Sequence, residues 1–317
     1  MTSPHLSRIA AGLSKWLNRT DEDKIVSLLE KTIPIVSAEI ERITTSRERM
    51  RLFGSVVEDN NPIHYIKEKA VAKGLDDTPV MGTHTAAYAE HFAQRIVDRI
   101  NELDTKGLRI IIRGQDITLR GPVYPDQSIS WNVGEKGYRE ATGGINLEIS
   151  GKSKGIEVAD VSIKLGTSLF PATPKPDEGK EQPVVFSKTY RFDEEKSQDF
   201  NTAIQGYENG YALIGLPALY IPSALVELLR ERTLRREGTN RSMNFEYVQI
   251  PMLKTPVKVD IFSPKREPRE IPVEGKPNQK KYLYKDLAAR CTQEGIEIAR
   301  GTVTCVSDYN LNITRTP

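Results

Sequence analysis

The chain has 317 residues, enough for one large or two ordinary domains with a buried core. Hydrophobic residues make up 38% and charged residues 28%, the proportions of a soluble globular protein. With 45 basic and 43 acidic residues the formal net charge is +2, which provides no strong field to attract nucleic acid.

The apolar runs are far too short to span a bilayer, so no membrane partner is expected. Cys291 and Cys305 are too few for a disulfide framework, and neither has ligand spacing to another Cys or His. A reducing compartment, the cytoplasm, is the default expectation, with no metal site. The N-terminus lacks a continuous apolar segment of the signal-peptide kind.

Residues 1–35 read as an N-terminal extension of two helices with a break near Asn18-Arg19-Thr20-Asp21. In the first of them Leu6, Ile9, Leu13, Trp16 and Leu17 share one face, and no acid precedes Asp21. A docked amphipathic helix and an organellar presequence both have this pattern. A strand follows around Val36 to Ile43. Thr45 with Glu48 three residues later has the capping-box pattern and predicts a helix burying Phe53, Val56 and Val57. Pro62 disfavours helical geometry at Asn61, so that helix ends before it. The stretch Asp59-Asn60-Asn61-Pro62-Ile63-His64 is therefore a helix exit whose path the proline fixes.

A long helix is predicted from Thr83 to about Asn101, opened by Gly82 and carrying Ala86, Ala87, Phe92, Ala93, Ile96, Val97 and Ile100 on its apolar side. Strands follow at Leu108–Ile112, Asp116–Leu119, Ser128–Val133, Gly144–Ser150 and Val158–Leu165, mostly divided by Gly or Pro turns. This succession predicts an α+β unit, an antiparallel sheet with a long helix on its face, over residues 36–170.

Residues 171–182 have the composition of a linker. Residues 183–317 repeat the layout in weaker form. A strand at Val184–Phe192 is followed by a short helix within Asp193–Ile204, then a helix over Ile221–Arg235. Strands recur at Asn244–Gln249, Val257–Phe262, Lys281–Ala288 and Gly301–Val306. An internal duplication with a period near half the chain accounts for this. At the place corresponding to the Asp-to-His stretch, the second half has Gln205-Gly-Tyr-Glu-Asn-Gly-Tyr211.

Asp59 and His64 carry the chemistry. Their intrinsic proton affinities differ, so near neutral pH an ionised carboxylate and a neutral imidazole can hold one water between them. Such a pair serves general acid–base catalysis. The plain alternative is an Asx turn followed by a structural histidine. Gly82, at the start of a long helix, offers free backbone N–H groups backed by the helix dipole and so a place for an oxyanion. The plain alternative there is an ordinary helix start.

The stretch Asp59–His64 resembles the hydratase motif of the MaoC-like, (R)-specific enoyl-CoA hydratases. Phe53 precedes it at the usual distance. Pro79-Val80-Met81-Gly82-Thr83 resembles the start of that family's central helix. Gly121-Pro122-Val123-Tyr124-Pro125-Asp126 resembles its Pro-Val-x-Pro-Gly-Asp turn with the Gly missing. The resemblance spans roughly 36–170 and rests on several motifs in the family's order. It implies a hot-dog fold, a curved antiparallel sheet wrapped around a long helix. With residues 183–317 as a degenerate second copy, it implies a double hot-dog in which one half is catalytic.

The resemblance also implies roles. Asp59 and His64 activate the water added to the β-carbon and supply the proton to the α-carbon. Asn61 holds the loop, and the Gly82 amide binds the thioester oxygen. No cofactor or metal is required. The partner is an acyl-CoA or acyl-carrier-protein thioester, and the chain is a monomeric pseudo-dimer or a homodimer. Two further departures stand out: Glu58 replaces the usual Gly before the Asp, and Met81 replaces the usual His before the helix-start Gly. His84 either compensates for Met81 or is a first-turn surface or core residue, and His91 is structural. Charge clusters at Arg230–Arg236 and Lys265–Glu267 read as solvated faces or a carrier contact. Tyr207, Tyr211 and Tyr220 line an acyl tunnel or pack in the core. The competing functions are a hot-dog thioesterase and a non-catalytic acyl-thioester binding protein.

Overall fold

A computed structural model describes residues 23–35, 43–103, 109–141, 144–170, 182–204, 215–233, 238–273, 276–308 and 310. The expected helix around residues 6–17, the expected strand over 36–42, most of the linker, and Tyr207 and Tyr211 lie outside these residues.

The N-terminal helix α1 covers residues 23–35. Its Ile25 and Leu29 are buried in the same core as the sheet, so this part of the extension is docked. Tyr138 adds a hydroxyl bond to the Glu30 carboxylate at 3.1 Å. Next come the short strand β1 (Ile43–Thr44) and helix α2 (Arg47–Val57). The N-cap of α2 is Ser46, whose hydroxyl accepts from the Arg49 amide. The capping box expected at Thr45 is thus displaced by one residue: Thr45 donates its hydroxyl to Tyr88 instead, at 2.7 Å. Either hydroxyl could cap the helix, and a tertiary partner decided which one does.

A 3-10 turn at Pro62–His64 and a short helix α3 (Lys67–Val71) lead to α4 (Gly82–Leu103). Ala86, Ala87, Tyr88, Ala89, Phe92, Ala93, Ile96, Val97 and Ile100 are all buried, and α4 packs on β2, β4 and β5. These strands are β2 (Ile111–Leu119), β3 (Ser128–Ala141), β4 (Gly144–Ser153) and β5 (Ile156–Gly166). The two strands expected over 108–119 are one strand, because the interruption at Gly114 is a bulge within β2.

The second half contains β6 (Val184–Tyr190), α5 (Glu194–Ile204), α6 (Leu216–Thr233), β7 (Gly238–Tyr247), β8 (Val257–Phe262), β9 (Arg269–Val273), β10 (Lys276–Gln293) and β11 (Ile296–Ser307). Helix α6 begins five residues before the expected Ile221 and carries Pro222 inside it. Its buried face, with Leu219, Ala224, Leu225 and Leu228, packs on β6, β7, β8, β10 and β11. Burial of that face outweighs the local break that a proline imposes. Strand β7 begins at Gly238, six residues before the expected Asn244, with alternate side chains buried toward its end.

All strand pairs are antiparallel. The order is β1-β3-β4-β5-β2-β7-β11-β10-β8-β6, with β9 beside β10. Read outward from the β2–β7 seam, the two halves have the same order: β2, β5, β4, β3, β1 on one side and β7, β11, β10, β8, β6 on the other. Apart from the added β9, the strand order of the second half matches that of the first. Helices α2 and α5 pack against each other across this symmetry and bring the end of α2 beside the second half.

Candidate active site

Helix α2 ends in a left-handed turn. Glu58 has φ 55° and its N–H bonds to the Gly54 carbonyl. The Asp59 N–H reaches the same carbonyl at 2.9 Å. This is how helices often stop, with a left-handed residue just past the last turn. Glycine suits that conformation because it has no Cβ, which explains why it is usual at this place in the resembling family. The other missing glycine behaves in the same way: Asp126, after Pro125, has φ 65°.

The loop is then fixed by its own side chains. The Asp59 carboxylate accepts from the Asn61 N–H at 2.9 Å, and the Asn61 side-chain oxygen accepts from the Ile63 N–H at 3.4 Å. The Asx turn expected as the plain alternative is therefore present, and it leaves the second carboxylate oxygen of Asp59 unbonded to any described residue. The Asn61 amide donates to the Gly238 carbonyl at 3.0 Å, which ties the loop to the first residue of β7. Tyr65 donates its hydroxyl to the Asp59 carbonyl at 2.5 Å. That hydroxyl lies where a Cβ on Gly54 would be, only 1.9 Å away, so Gly54 has to be glycine for Tyr65 to reach the loop. Sequence reasoning missed both residues; a glycine inside an otherwise helical stretch was the available signal.

His64 closes the 3-10 turn. Its Nδ1 is 2.8 Å from the Pro79 carbonyl oxygen. A carbonyl cannot donate, so Nδ1 carries a proton, and in the neutral tautomer this leaves the lone pair on Nε2. No described residue bonds Nε2. Asp59, Asn61 and His64 are 5, 3 and 8% exposed, so the polar cluster is almost enclosed.

Pro79 leads directly into the start of α4. The Val80 N–H donates to the Val123 carbonyl at 2.7 Å, and the Asp76 N–H to the Tyr124 hydroxyl at 3.1 Å. The three sequence stretches at 59–64, 79–83 and 121–126 are thereby joined in one place. At the helix start the Met81 carbonyl accepts from His84 and Thr85, while the Gly82 and Thr83 amides donate to no described residue. The Thr83 hydroxyl is buried and has no hydrogen-bond partner among the described residues. A Cβ on Gly82 would meet the Leu119 side-chain methyl of β2 at 2.3 Å, so a larger residue there requires that side chain to shift. Free helix-start amides of this kind can bind a negative oxygen.

His84 does not join this cluster. Its ring is stacked between Phe53 at 4.1 Å and Tyr88 at 4.4 Å, and Nε2 faces the Ala203 carbonyl at 3.3 Å. Burial pushes its pKa down to about 3, so the ring is neutral and belongs to the core. His91 is likewise lowered, to about 4, by burial and by Arg95. Met81 is fully buried, with its thioether end close to Gly54. Tyr220 stacks on Tyr190 at 4.5 Å in the core of the second half. Lys265, Arg266 and Glu267 are exposed to solvent.

A half-buried carboxylate was not foreseen. The Glu90 carboxylate on α4 accepts from Tyr247 of β7 at 2.5 Å and from Gln115 of β2 at 3.0 Å. Burial raises its pKa to about 7. It lies under the β2–β7 seam, where the halves join. Among the described residues no group of three His, Cys, Asp or Glu is arranged to hold a metal, and no helix is long and apolar enough to cross a membrane.

No family model and no curated protein matches the sequence. Solved structures do match by shape. A MaoC domain protein dehydratase from Chloroflexus aurantiacus J-10-fl superposes with a TM-score of 0.53 at 11% identity, covering 84% of this chain and 93% of that one. A MaoC-like dehydratase from Phytophthora capsici gives 0.50 at 11% identity over 83% of this chain and 92% of that one. Another MaoC-like dehydratase gives 0.50 at 9% identity over 84% and 95%. At these identities the likeness is one of fold: this chain shares the hot-dog architecture of proteins named MaoC-like dehydratases.

Proposed function

We propose that the chain is a double hot-dog hydro-lyase of the MaoC-like kind, with a catalytic half at 36–170 and a degenerate half at 183–317. It adds water to trans-2-enoyl thioesters or removes it from (R)-3-hydroxyacyl thioesters. The substrate carrier is CoA or an acyl-carrier protein, and no metal or redox cofactor takes part. The observation that carries this reading is the orientation of His64: its Nδ1 faces the Pro79 carbonyl, which leaves Nε2 to act as the acceptor of the neutral tautomer, in the same buried loop as Asp59.

In the hydration direction, one water is held by the free Asp59 oxygen and His64 Nε2. The imidazole accepts a proton as the water oxygen bonds to the β-carbon. Electron density moves through the conjugated system to the thioester oxygen, where the amide at Gly82 stabilises the developing enolate. The enolate then collapses and its α-carbon takes the proton from the same pair. Asn61 keeps the loop in register by its bonds to Ile63 and to Gly238. Proton transfer by positioned groups of this kind contributes about 10²- to 10⁴-fold in rate.

The test follows the ultraviolet absorbance of crotonyl-CoA, and of longer enoyl-CoA and enoyl-carrier thioesters, with the wild-type chain and with Asp59→Asn and His64→Ala. Loss of the enoyl band without release of free thiol, abolished in both variants, supports the hydro-lyase. Free thiol would mean a thioesterase. An unchanged band with every substrate would leave a binding role as the better account.

A further inference from the structure

We infer that Glu58 is a positioning residue for Asp59, clamped from the second half of the chain by Lys188 and Lys196. This assignment rests on the reading of Asp59 as part of the reacting pair. Glu58 immediately precedes Asp59 and adopts the left-handed conformation, φ 55°. An L side chain crowds its own backbone there, so the conformation carries a cost that its surroundings must offset, beyond the two amide bonds to the Gly54 carbonyl.

Two lysines of the second half add further fixing contacts. Lys196 of α5 reaches one carboxylate oxygen of Glu58 at 2.7 Å, and Lys188 of β6 reaches the other at 3.0 Å. Each ammonium also lies over an aromatic face, Lys188 at 4.7 Å from the Tyr190 ring centre and Lys196 at 5.7 Å from that of Tyr220. Those two rings stack on each other. The side chains of Glu58, Lys188 and Lys196 are 31, 25 and 14% exposed, so water screens the pairs less than at an open surface. Burial alone would raise the Glu58 pKa, but the hydrogen bonds from the two lysines outweigh it and keep the carboxylate ionised.

The left-handed turn sets the direction in which the chain leaves α2, and so where the Asp59 carboxylate points. A carboxylate and its pair of cations, which a glycine would not need, help to hold a bend that glycine would adopt freely. The degenerate half then has a role in the site: through Lys188, Lys196 and the Gly238 carbonyl it sets the geometry of a loop in the other half.

Comparison of Glu58→Ala with Glu58→Gly tests this. Alanine keeps the backbone crowding and loses the clamp, whereas glycine loses both. Glu58→Ala is expected to lower kcat about tenfold with KM changed by less than about twofold, because a small displacement of a reacting group is costly. Glu58→Gly should recover most of that loss. Lys188→Met/Lys196→Met should resemble Glu58→Ala and add little to it. Wild-type kcat in Glu58→Ala, or equal losses in the alanine and glycine variants, would overturn the assignment. If the wild-type chain turns over no enoyl thioester, the function falls but the clamp is still read by amide hydrogen exchange. Faster exchange at Asp59 and Asn61 in Glu58→Ala, restored in Glu58→Gly, supports it, and unchanged exchange in Glu58→Ala refutes it.

Discussion

Replacing Glu90 by Gln should make the protein less sensitive to alkaline pH, by an amount that follows from the seam. Folded Glu90 releases its proton near pH 7, because burial on α4 penalises the anion more than the Tyr247 hydroxyl stabilises it. The ordinary value is 4.5. Between those two pH values the folded state holds a proton that the unfolded chain has lost. Stability from this group is therefore fully present below about pH 4.5 and declines as pH rises through 7. At about 1.36 kcal/mol per unit of pKa, the gap corresponds to about 3 kcal/mol. Glutamine keeps the shape of the protonated acid without a proton to lose. Urea unfolding of both proteins at pH 4.5 and pH 8 isolates the effect, since the histidines titrate alike in each and cancel in the difference. Relative to wild type, Glu90→Gln should gain about 3 kcal/mol on going from pH 4.5 to 8. A stability difference that is constant across this range would refute the account of a carboxylate trapped at the seam.

The opposite sign is expected at His84, whose folded pKa of about 3 lies below the ordinary 6.5. Here the unfolded chain takes up the proton first, so stability is present above pH 6.5 and is lost as pH falls toward 3; His84→Phe should outperform wild type by about 2 kcal/mol more at pH 5 than at pH 6.5, by the same slope. Urea midpoints at the two pH values check this, and a difference independent of pH would show that the ring is not neutral by burial. Gly82→Ala keeps the backbone N–H but drives a methyl into Leu119. Overpacking costs about 1–3 kcal/mol in a tight core; here the end of a half-buried side chain can shift, so a cost at the low end is expected, and thermal unfolding should show that Leu119→Ala relieves part of it in the double variant. Absence of any coupling between the two substitutions would mean that the helix start is looser than the packing indicates.

Several features of this protein are determined by the sequence alone. The long helix α4 is legible because a buried helix repeats its apolar residues at the helical period over many turns. The helix exit at Asp59–His64 is legible because Pro62 constrains its neighbour locally. The duplication is read from the return of strand–helix–strand patterns after the linker, and the strand orders on the two sides of the β2–β7 seam match. Other features were decided only by tertiary structure. Thr45 left its capping role for Tyr88, α6 extended through Pro222, and His84 went to the core between two rings. The lysines that hold Glu58 lie 130 and 138 positions away, and the carbonyl that holds Asn61 lies 177 positions away. Local propensities act over one or two turns of chain, so they show where an element begins and which face is apolar. Ion pairs, hydrogen bonds and ring stacks between distant residues depend on which surfaces the folded sheet brings together, and no spacing in the sequence encodes that.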